Sequence, residues 1–220
     1  KFPSVVASKT TFGVPSKAMA FTYKRLQYLI LPAMNVPLST LQLKFKLNRE
    51  SVESGVFKVG YMSDPNDTST FVAVASFDDS KYKEMLPKQV FFTGVADNSG
   101  ANRYIAFRCG NNPEITSSYN YYYWVDDVEV SPAPACLPTI NLKVSNIKPN
   151  AADISFKHEA SANTWQYVYT DDPSVSPDSL TPTTITSDSI TVSGLTPDTE
   201  YRFWVRTKCS PTELSDWNLE

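Results

Sequence analysis

The sequence predicts an all-β protein made of two consecutive β-sandwiches, and three observations support this fold class. The stretch "TLQLKFKLN" (40–48) alternates apolar and polar residues, as a strand with one buried and one solvated face does. Similar stretches are separated by turn sequences such as "SDPND" and "DNSG". A proline-rich break, "SPAPACLP" (131–138), then divides the chain of 220 residues into a larger and a smaller part.

The first part is a succession of strand-like segments. Residues 40–48 give the clearest alternation, and residues 55–63 repeat it with Phe57, Val59 and Tyr61 on one face. No long segment has a helical period, so this number of short strands predicts a jelly-roll sandwich over residues 1–131. The other strand candidates are "TFVAVASF" (70–77), "QVFFTGV" (89–95), "RYIAFRC" (103–109) and "NYYYWVDDVEV" (120–130).

The second part, residues 139–220, is predicted to be a smaller all-β unit. Residues 132–138 are predicted to be the linker, because each of their prolines removes a backbone donor that a strand would need. The strand candidates beyond it are "INLKVSNI" (140–147), "ADISF" (152–156), "TWQYVYTDD" (164–172) and two strands within "DSITVSGLTPDTEYRFWVRTKC" (188–209).

Composition argues against several functional classes. The net charge of −3 gives no basic footprint for nucleic acid. No apolar run approaches the roughly 20 residues of a membrane span. The N-terminal residues "KFPSVVASKTTFG" lack the pattern of a signal peptide, so we expect a mature form or a piece of a longer protein.

Several residues of the second part resemble the fibronectin type III family. The stretch "LTPDTEY" (195–201), followed by Val205, resembles the tyrosine corner of that family, in which a buried tyrosine hydroxyl bonds back to the preceding backbone. The resemblance implies a sandwich of seven strands, of which the last is expected to be incomplete after "SDWNLE". The other residues that carry the resemblance are Leu142, Phe156, Trp165, Tyr167 and Tyr169.

The chain has three cysteines, Cys109, Cys136 and Cys209. In a sandwich of this family, the start of the first strand and the end of the sixth lie at the same pole, which predicts a disulfide between Cys136 and Cys209 and an oxidising exterior. Secreted bacterial modules of the family have a similar pair. The alternative is two reduced, buried thiols. Cys109 shares a face with Ile105 and Phe107 and is predicted to be an inert buried thiol.

The first part resembles the cleaved-adhesin (choice-of-anchor J) family, which comprises jelly rolls related to MAM domains and is common in surface proteins of Bacteroidetes. The order of its segments carries this resemblance. The first strand of the family, which bears acidic residues and a tryptophan, is expected to be missing here. The segments are "FPSVVASKTTFGVPSKAMAF", "YLILPAMNVPLSTLQLKFKL", "RYIAFRC" and "YYYWVDDVEV".

The strand at 120–130 contains two adjacent aspartates. If Val128 and Val130 face the core, uninterrupted alternation places Trp124 and Asp126 there too. Asp127 then faces the opposite side, with Tyr121, Tyr123, Val125 and Glu129. Neighbouring acids on opposite faces cannot act as an acid/base pair on one substrate, which argues against a glycosidase. We predict no catalytic residue and no enzyme within this chain, with a catalytic domain elsewhere in a longer parent protein left open.

Asp126 is the candidate metal ligand, because a carboxylate on an apolar face needs a partner. We consider a structural calcium ion, held with oxygen ligands from neighbouring loops. Calcium near the closing strand of related jelly rolls adds to this interpretation. The alternative is that Asp126 accepts backbone N–H groups at the edge of the sandwich.

Three aromatic residues are candidate ligand contacts. Tyr121 and Tyr123, on the outward parity, could form a sugar-stacking platform, and cross-strand packing is the alternative. Trp204 is predicted to face outward between Arg202 and Arg206, where it could meet a partner or form a surface ladder with the arginines.

These observations predict a non-catalytic adhesion or recognition module. Glycan or a host extracellular protein is the expected partner, and the module is expected to be a monomeric part of a longer protein. We expect an exported bacterial protein, outside the cell or on its surface, with association to the outer membrane as one option. The alternatives are an ancillary region of a secreted peptidase or glycoside hydrolase and a spacer without a ligand.

Overall fold

The computed structural model describes residues 4–7, 17–22, 26–51, 56–77, 84–96, 103–110, 122–158 and 162–218. The fold is all-β, as predicted, with antiparallel sheets arranged as sandwiches. The chain divides into two compact units, which we call unit 1 (Lys1–Ala133) and unit 2 (Pro134–Glu220). The division falls inside the linker that the prolines predicted. Within the described ranges, no helix is both long and apolar enough to cross a membrane.

The described strands of unit 1 form two antiparallel sheets. The five-stranded sheet has the order β1-β2-β9-β4-β7, and the four-stranded sheet has the order β3-β8-β5-β6. The strands are β1 (Ser4–Ala7), β2 (Lys17–Thr22), β3 (Gln27–Ile30), β4 (Leu41–Arg49), β5 (Phe57–Met62), β6 (Val72–Phe77), β7 (Leu86–Phe91), β8 (Tyr104–Cys109) and β9 (Tyr122–Pro132). Two 3₁₀ turns, Leu38–Thr40 and Thr68–Thr70, precede β4 and β6.

The core of unit 1 is formed by aromatic rings from both sheets. Phe45 of the five-stranded sheet meets Phe107 of the four-stranded sheet edge to face, with ring centroids 5.3 Å apart. Phe21 and Phe57 meet in the same way at 5.2 Å. These rings lie on the core-facing side of their strands, so the period of two places them between the sheets.

Strand β9 departs from the predicted alternation because it contains a β-bulge. Its register against β4 pairs Lys44 with Glu129 and Lys46 with Asp126, so three steps on β9 match two on β4. The extra residue is Asp127, whose φ of 50° is in the left-handed region. The bulge shifts the alternation of side chains along the strand. Odd-numbered residues face the core before the bulge, and even-numbered residues face it afterwards.

Unit 2 contains two three-stranded antiparallel sheets, with the orders β10-β11-β14 and β13-β12-β15. Phe156, Trp165 and Val205 form the centre of its core, and Leu142, Tyr167 and Phe203 pack around them. The strands are β10 (Ile140–Lys148), β11 (Ala151–Lys157), β12 (Trp165–Thr170), β13 (Thr183–Ile185), β14 (Ser189–Ser193) and β15 (Arg202–Thr207).

An irregular segment, residues 214–218, lies along β15 where a seventh strand would stand. Its backbone donates from Ser215 N to Thr207 O and from Asn218 N to Val205 O, both at 3.0 Å. In return, the Asn218 Oδ1 and Ser215 Oγ atoms accept the N–H groups of Val205 and Thr207. Side-chain oxygens thus take the place of the backbone carbonyl acceptors of a regular strand. The N–H and C=O groups at this edge of β15 are therefore paired although the segment is not a regular strand.

Candidate functional site

The predicted disulfide pair is bonded in the structure. Cys136 and Cys209 are joined with their Cα atoms 5.8 Å apart, at a sequence separation of 73. Cys136 lies just before β10 and Cys209 just after β15, so the bond ties the two sheets of unit 2 together at one pole. The tyrosine corner is also present, because the Tyr201 hydroxyl accepts the Thr196 N–H at 3.1 Å.

Cys109 is a free, buried thiol, as predicted. It lies in the core of unit 1 with Ile105 and Phe107. Burial raises the pKa of the Cys109 thiol to about 12, because the apolar core disfavours the thiolate.

Asp126 does not face the core, which corrects the prediction. It lies half-buried on the opposite face of the five-stranded sheet, because the bulge comes between it and the core-facing Val128. Its Oδ1 atom accepts the N–H of Asp127 at 2.9 Å, so a backbone donor satisfies it as in the alternative, but on the interior strand β9 and not at an edge of the sandwich. Asp127 is exposed and pairs with Lys46 at 2.7 Å. This hydrogen bond and charge raise the pKa of Lys46.

A calcium ion at Asp126 stays a prediction. Among the described residues, no group of three or more His, Cys, Asp or Glu side chains is arranged to hold a metal ion. The described carboxylates nearest in sequence, Asp127 and Glu129, lie on the bulge and beyond it.

Tyr123 is not an exposed platform, so that prediction is wrong. It is completely buried in the core of unit 1, with its ring 5.0 Å from that of Phe57. Its hydroxyl donates to the Phe77 carbonyl oxygen at 2.7 Å, which is the bond that a buried tyrosine needs. The parity of Tyr123 was assigned from Val128 across the bulge and is therefore inverted. Tyr121 lies outside the described residues.

Trp124 and Tyr122 are the aromatic residues that lie on the other face of this strand. The Glu50 carboxylate holds them, accepting the Trp124 indole N–H and the Tyr122 backbone N–H, each at 3.0 Å. Trp124 packs on Ala18 and Ala20 of β2 and is almost fully buried. It is therefore a structural residue of the sheet surface and is not available for ligand stacking.

Trp204 lies on the outer face of β15, as its parity predicted, and is half-buried opposite Val168. The expected arginine ladder has a different geometry. Arg206 lies over the ring of Trp217, with 4.3 Å between its guanidinium carbon and the ring centroid. Arg202 donates to the Pro173 carbonyl oxygen, so it is hydrogen-bonded to a loop.

The structure brings together a further set of residues, which we call the outer row. Tyr28, Arg108, Lys58 and Ser76 are direct cross-strand partners on β3, β8, β5 and β6. Their neighbours in sequence, such as Phe57 and Phe107, face the core, so the outer row lies on the opposite face of the four-stranded sheet.

Aromatic contacts fix the guanidinium of Arg108 within the outer row. Its Nε donates to the Tyr28 hydroxyl at 3.1 Å, and its guanidinium carbon lies 5.9 Å from the centroid of the Phe71 ring. The Tyr28 and Phe71 rings meet edge to face at 5.7 Å. Both rings and the arginine are partly exposed, so they present apolar faces and charged donors to solvent.

Gly60 makes room for Phe71 beside the outer row. A Cβ atom at Gly60 would lie 2.0 Å from the Val72 carbonyl oxygen and 2.9 Å from the Phe71 ring. Only a residue without a side chain allows β5 and the start of β6 to approach this closely.

Comparison with known proteins gives one family match and several solved structures of low similarity. Residues 133–217 match the family model of the fibronectin type III domain. The fn3 domain of human collagen alpha-1(XX) chain is 16% identical, over 40% of this chain and 84% of that chain, with a TM-score of 0.34. The K1 cleaved adhesin domain of Lys-gingipain from Porphyromonas gingivalis W83 is 21% identical, over 58% and 82%, with a TM-score of 0.41.

A third solved structure, a β-1,2-glucanase from Parabacteroides distasonis, is 12% identical, over 98% of this chain and 33% of that chain, with a TM-score of 0.34. No curated protein matches the chain. Unit 2 thus contains both the match to the fibronectin type III model and the tyrosine corner that the resemblance implied.

Proposed function

We propose that this chain is a non-catalytic recognition module that binds glycan on the outer face of the four-stranded sheet of unit 1. The observation that carries the proposal is the outer row, in which Tyr28 and Phe71 hold the guanidinium of Arg108 at a partly exposed sheet surface. Sugar rings stack on aromatic faces, and their hydroxyl groups accept from charged donors. A host extracellular protein is the alternative ligand.

The location that fits this function is outside the cell or on its surface. Support comes from the bond between Cys136 and Cys209, because disulfides persist in oxidising compartments. In this proposal the disulfide-bonded fibronectin type III domain follows the binding unit in the sequence of a longer exported protein.

Glycan-array binding of the full chain tests the proposal. We expect array signals that Tyr28→Ala and Phe71→Ala remove. Tyr169→Ala, which truncates an exposed tyrosine of unit 2, is the matched control and should keep them. Melting curves establish that each variant is folded. An array without signal at high protein concentration would favour the spacer, and signals unchanged in Tyr28→Ala would place the site elsewhere.

Trp204→Ala, measured on the same array, tests the ligand contact predicted for unit 2. Loss of signal in this variant alone would move the proposed site from unit 1 to the outer face of β15. Retained signal would leave Trp204 as a packing residue opposite Val168.

A further inference from the structure

Resting on the proposed function, we infer that the saccharide bound by the outer row carries a carboxylate group. The first argument is the arrangement of charge. Arg108 and Lys58 are direct cross-strand partners on neighbouring strands and share one face of the sheet. Like charges directly opposite each other destabilise a strand pair, and a bound anion between them would relieve that repulsion. In the described part of the chain, neither cation has a carboxylate at ion-pair distance.

The second argument is the orientation of the arginine. The Nε donor of Arg108 is occupied by the Tyr28 hydroxyl, and the guanidinium carbon lies over the ring of Phe71. The terminal amino groups of the guanidinium are then the donors left for a ligand. Two parallel N–H donors match the two oxygens of a carboxylate. An arginine held in place before binding loses less conformational entropy when it binds.

The third argument concerns the rest of the ligand. The outer row crosses four strands, a span of about 14 Å at the usual strand spacing. One end has the Tyr28 ring, the middle has the two cations, and the other end has the exposed hydroxyl of Ser76. An apolar ring, two positive charges and a hydroxyl group therefore lie in one line. This arrangement suits an acidic oligosaccharide, because the sugar alternates apolar ring faces with polar groups.

The experiment is calorimetric titration of the full chain with 3′-sialyllactose, with trigalacturonate and with neutral lactose. The two acidic sugars distinguish a sialic acid from a uronic acid as the source of the carboxylate. We expect at least one of them to bind about tenfold more tightly than lactose, as charge-assisted hydrogen bonds are worth that much. We also expect the difference to shrink as salt rises from about 50 to about 300 mM.

Variants separate the role of charge from that of folding. Arg108→Gln should abolish the preference for the acidic sugar, and Arg108→Lys should restore only part of it, because lysine keeps the charge without the paired donors. Lys58→Gln should weaken binding of the acidic sugar, whereas Lys148→Gln, at an exposed lysine of unit 2, should leave it unchanged. Melting temperatures identify any variant that fails to fold. If Arg108→Gln does not fold, the partial loss of preference expected for the conservative Arg108→Lys variant tests the inference instead.

Two outcomes overturn the inference while leaving the proposed function in place. Lactose binding as tightly as both acidic sugars is one, and unchanged acidic-sugar binding in folded Arg108→Gln is the other. Absence of binding to every sugar, together with an array without signal, overturns the inference and the proposed function together.

Discussion

The Asp126 carboxylate accepts the backbone N–H of Asp127, the next residue in the chain, at 2.9 Å. This contact closes the β-bulge of β9. Because of the bulge, the alternation of core-facing and outward-facing side chains is reversed between the two halves of the strand. Tyr123 and Val125 before the bulge, and Val128 and Val130 after it, consequently all face the core of unit 1. One inserted residue thus gives the strand four apolar contacts with the same core.

The left-handed backbone of Asp127 makes the bulge sensitive to the residue at that position. Asp127→Val should destabilise unit 1 by about 1–2 kcal/mol, because a β-branched residue is strained at positive φ. Asp127→Asn is the matched control and should cost less, since asparagine tolerates this region and only the pairing with Lys46 is lost. Urea unfolding measures both. Equal stability of the two variants would contradict the role of backbone strain.

The burial of Tyr123 predicts that its hydroxyl contributes to stability and not to binding. Tyr123→Phe leaves the Phe77 carbonyl oxygen without this donor and should lower the free energy of unfolding by about 1–2 kcal/mol. Tyr123→Ala also creates a cavity and should cost about 3–5 kcal/mol. Denaturant unfolding measures these changes. Glycan binding by folded Tyr123→Phe should equal that of the unchanged protein, and a selective loss of binding would revive the platform interpretation.

The disulfide predicts a definite thiol count. Titration of the unfolded, unreduced chain should find one free thiol, Cys109, and three after reduction. The double variant Cys136→Ala with Cys209→Ala should lose about 4 kcal/mol of the stability of unit 2 in the chain-entropy model. Three thiols before reduction would contradict the bond. In the native, unreduced protein Cys109 should resist alkylation, because burial raises its pKa to about 12.

Asp153 should give unit 2 a pH-dependent stability. Hydrogen bonds from Thr191, then from Asn146, lower the pKa of Asp153 below its ordinary value of 3.8. A group with a lower pKa in the folded state stabilises the fold above its unfolded pKa and loses that contribution as the pH falls through its folded pKa. Thr191→Val should raise the pKa towards 3.8 and flatten the loss of stability below that pH.

NMR titration of the Asp153 carboxyl carbon, in the unchanged protein and in Thr191→Val, checks this prediction. Asn146→Ala removes the second hydrogen bond and should shift the pKa in the same direction by a smaller amount. A pKa that does not respond to either substitution would assign the shift to another cause.

The calcium prediction is tested by chelation. An ion bound through Asp126 requires that EDTA lowers the melting temperature, and that Asp126→Asn removes this loss because a ligand oxygen has lost its charge. Identical melting curves with and without EDTA would leave Asp126 with one role, the acceptor that closes the bulge.

The properties of unit 2 were predictable because their signals are local. The tyrosine corner is a fixed spacing within a few residues, and Tyr201 makes the expected bond to the backbone of Thr196. The two cysteines flank the strand region at positions where any sandwich of this topology brings its ends together. Trp204 was also placed on the correct face, since β15 alternates without interruption.

The candidate site of unit 1 was not predictable in the same way. Each member of the outer row is simply the polar or amphipathic residue at an outward position of its own strand, with no motif to mark it. Strand order and register decide that Tyr28, Lys58 and Arg108 become neighbours, and both depend on pairing between distant segments.

The sequence by itself determined the all-β class and the division at the proline-rich linker, because alternation and proline chemistry act locally. It also determined the disulfide pair, because the topology of the resembled family brings Cys136 and Cys209 to one pole although they are 73 positions apart. The tertiary structure alone decided which face each residue of β9 presents and which side chains meet across the four-stranded sheet. The physical reason is that a bulge of one residue inverts every later side chain of a strand, and the position of that bulge is set by the pairing of β9 with the distant strand β4.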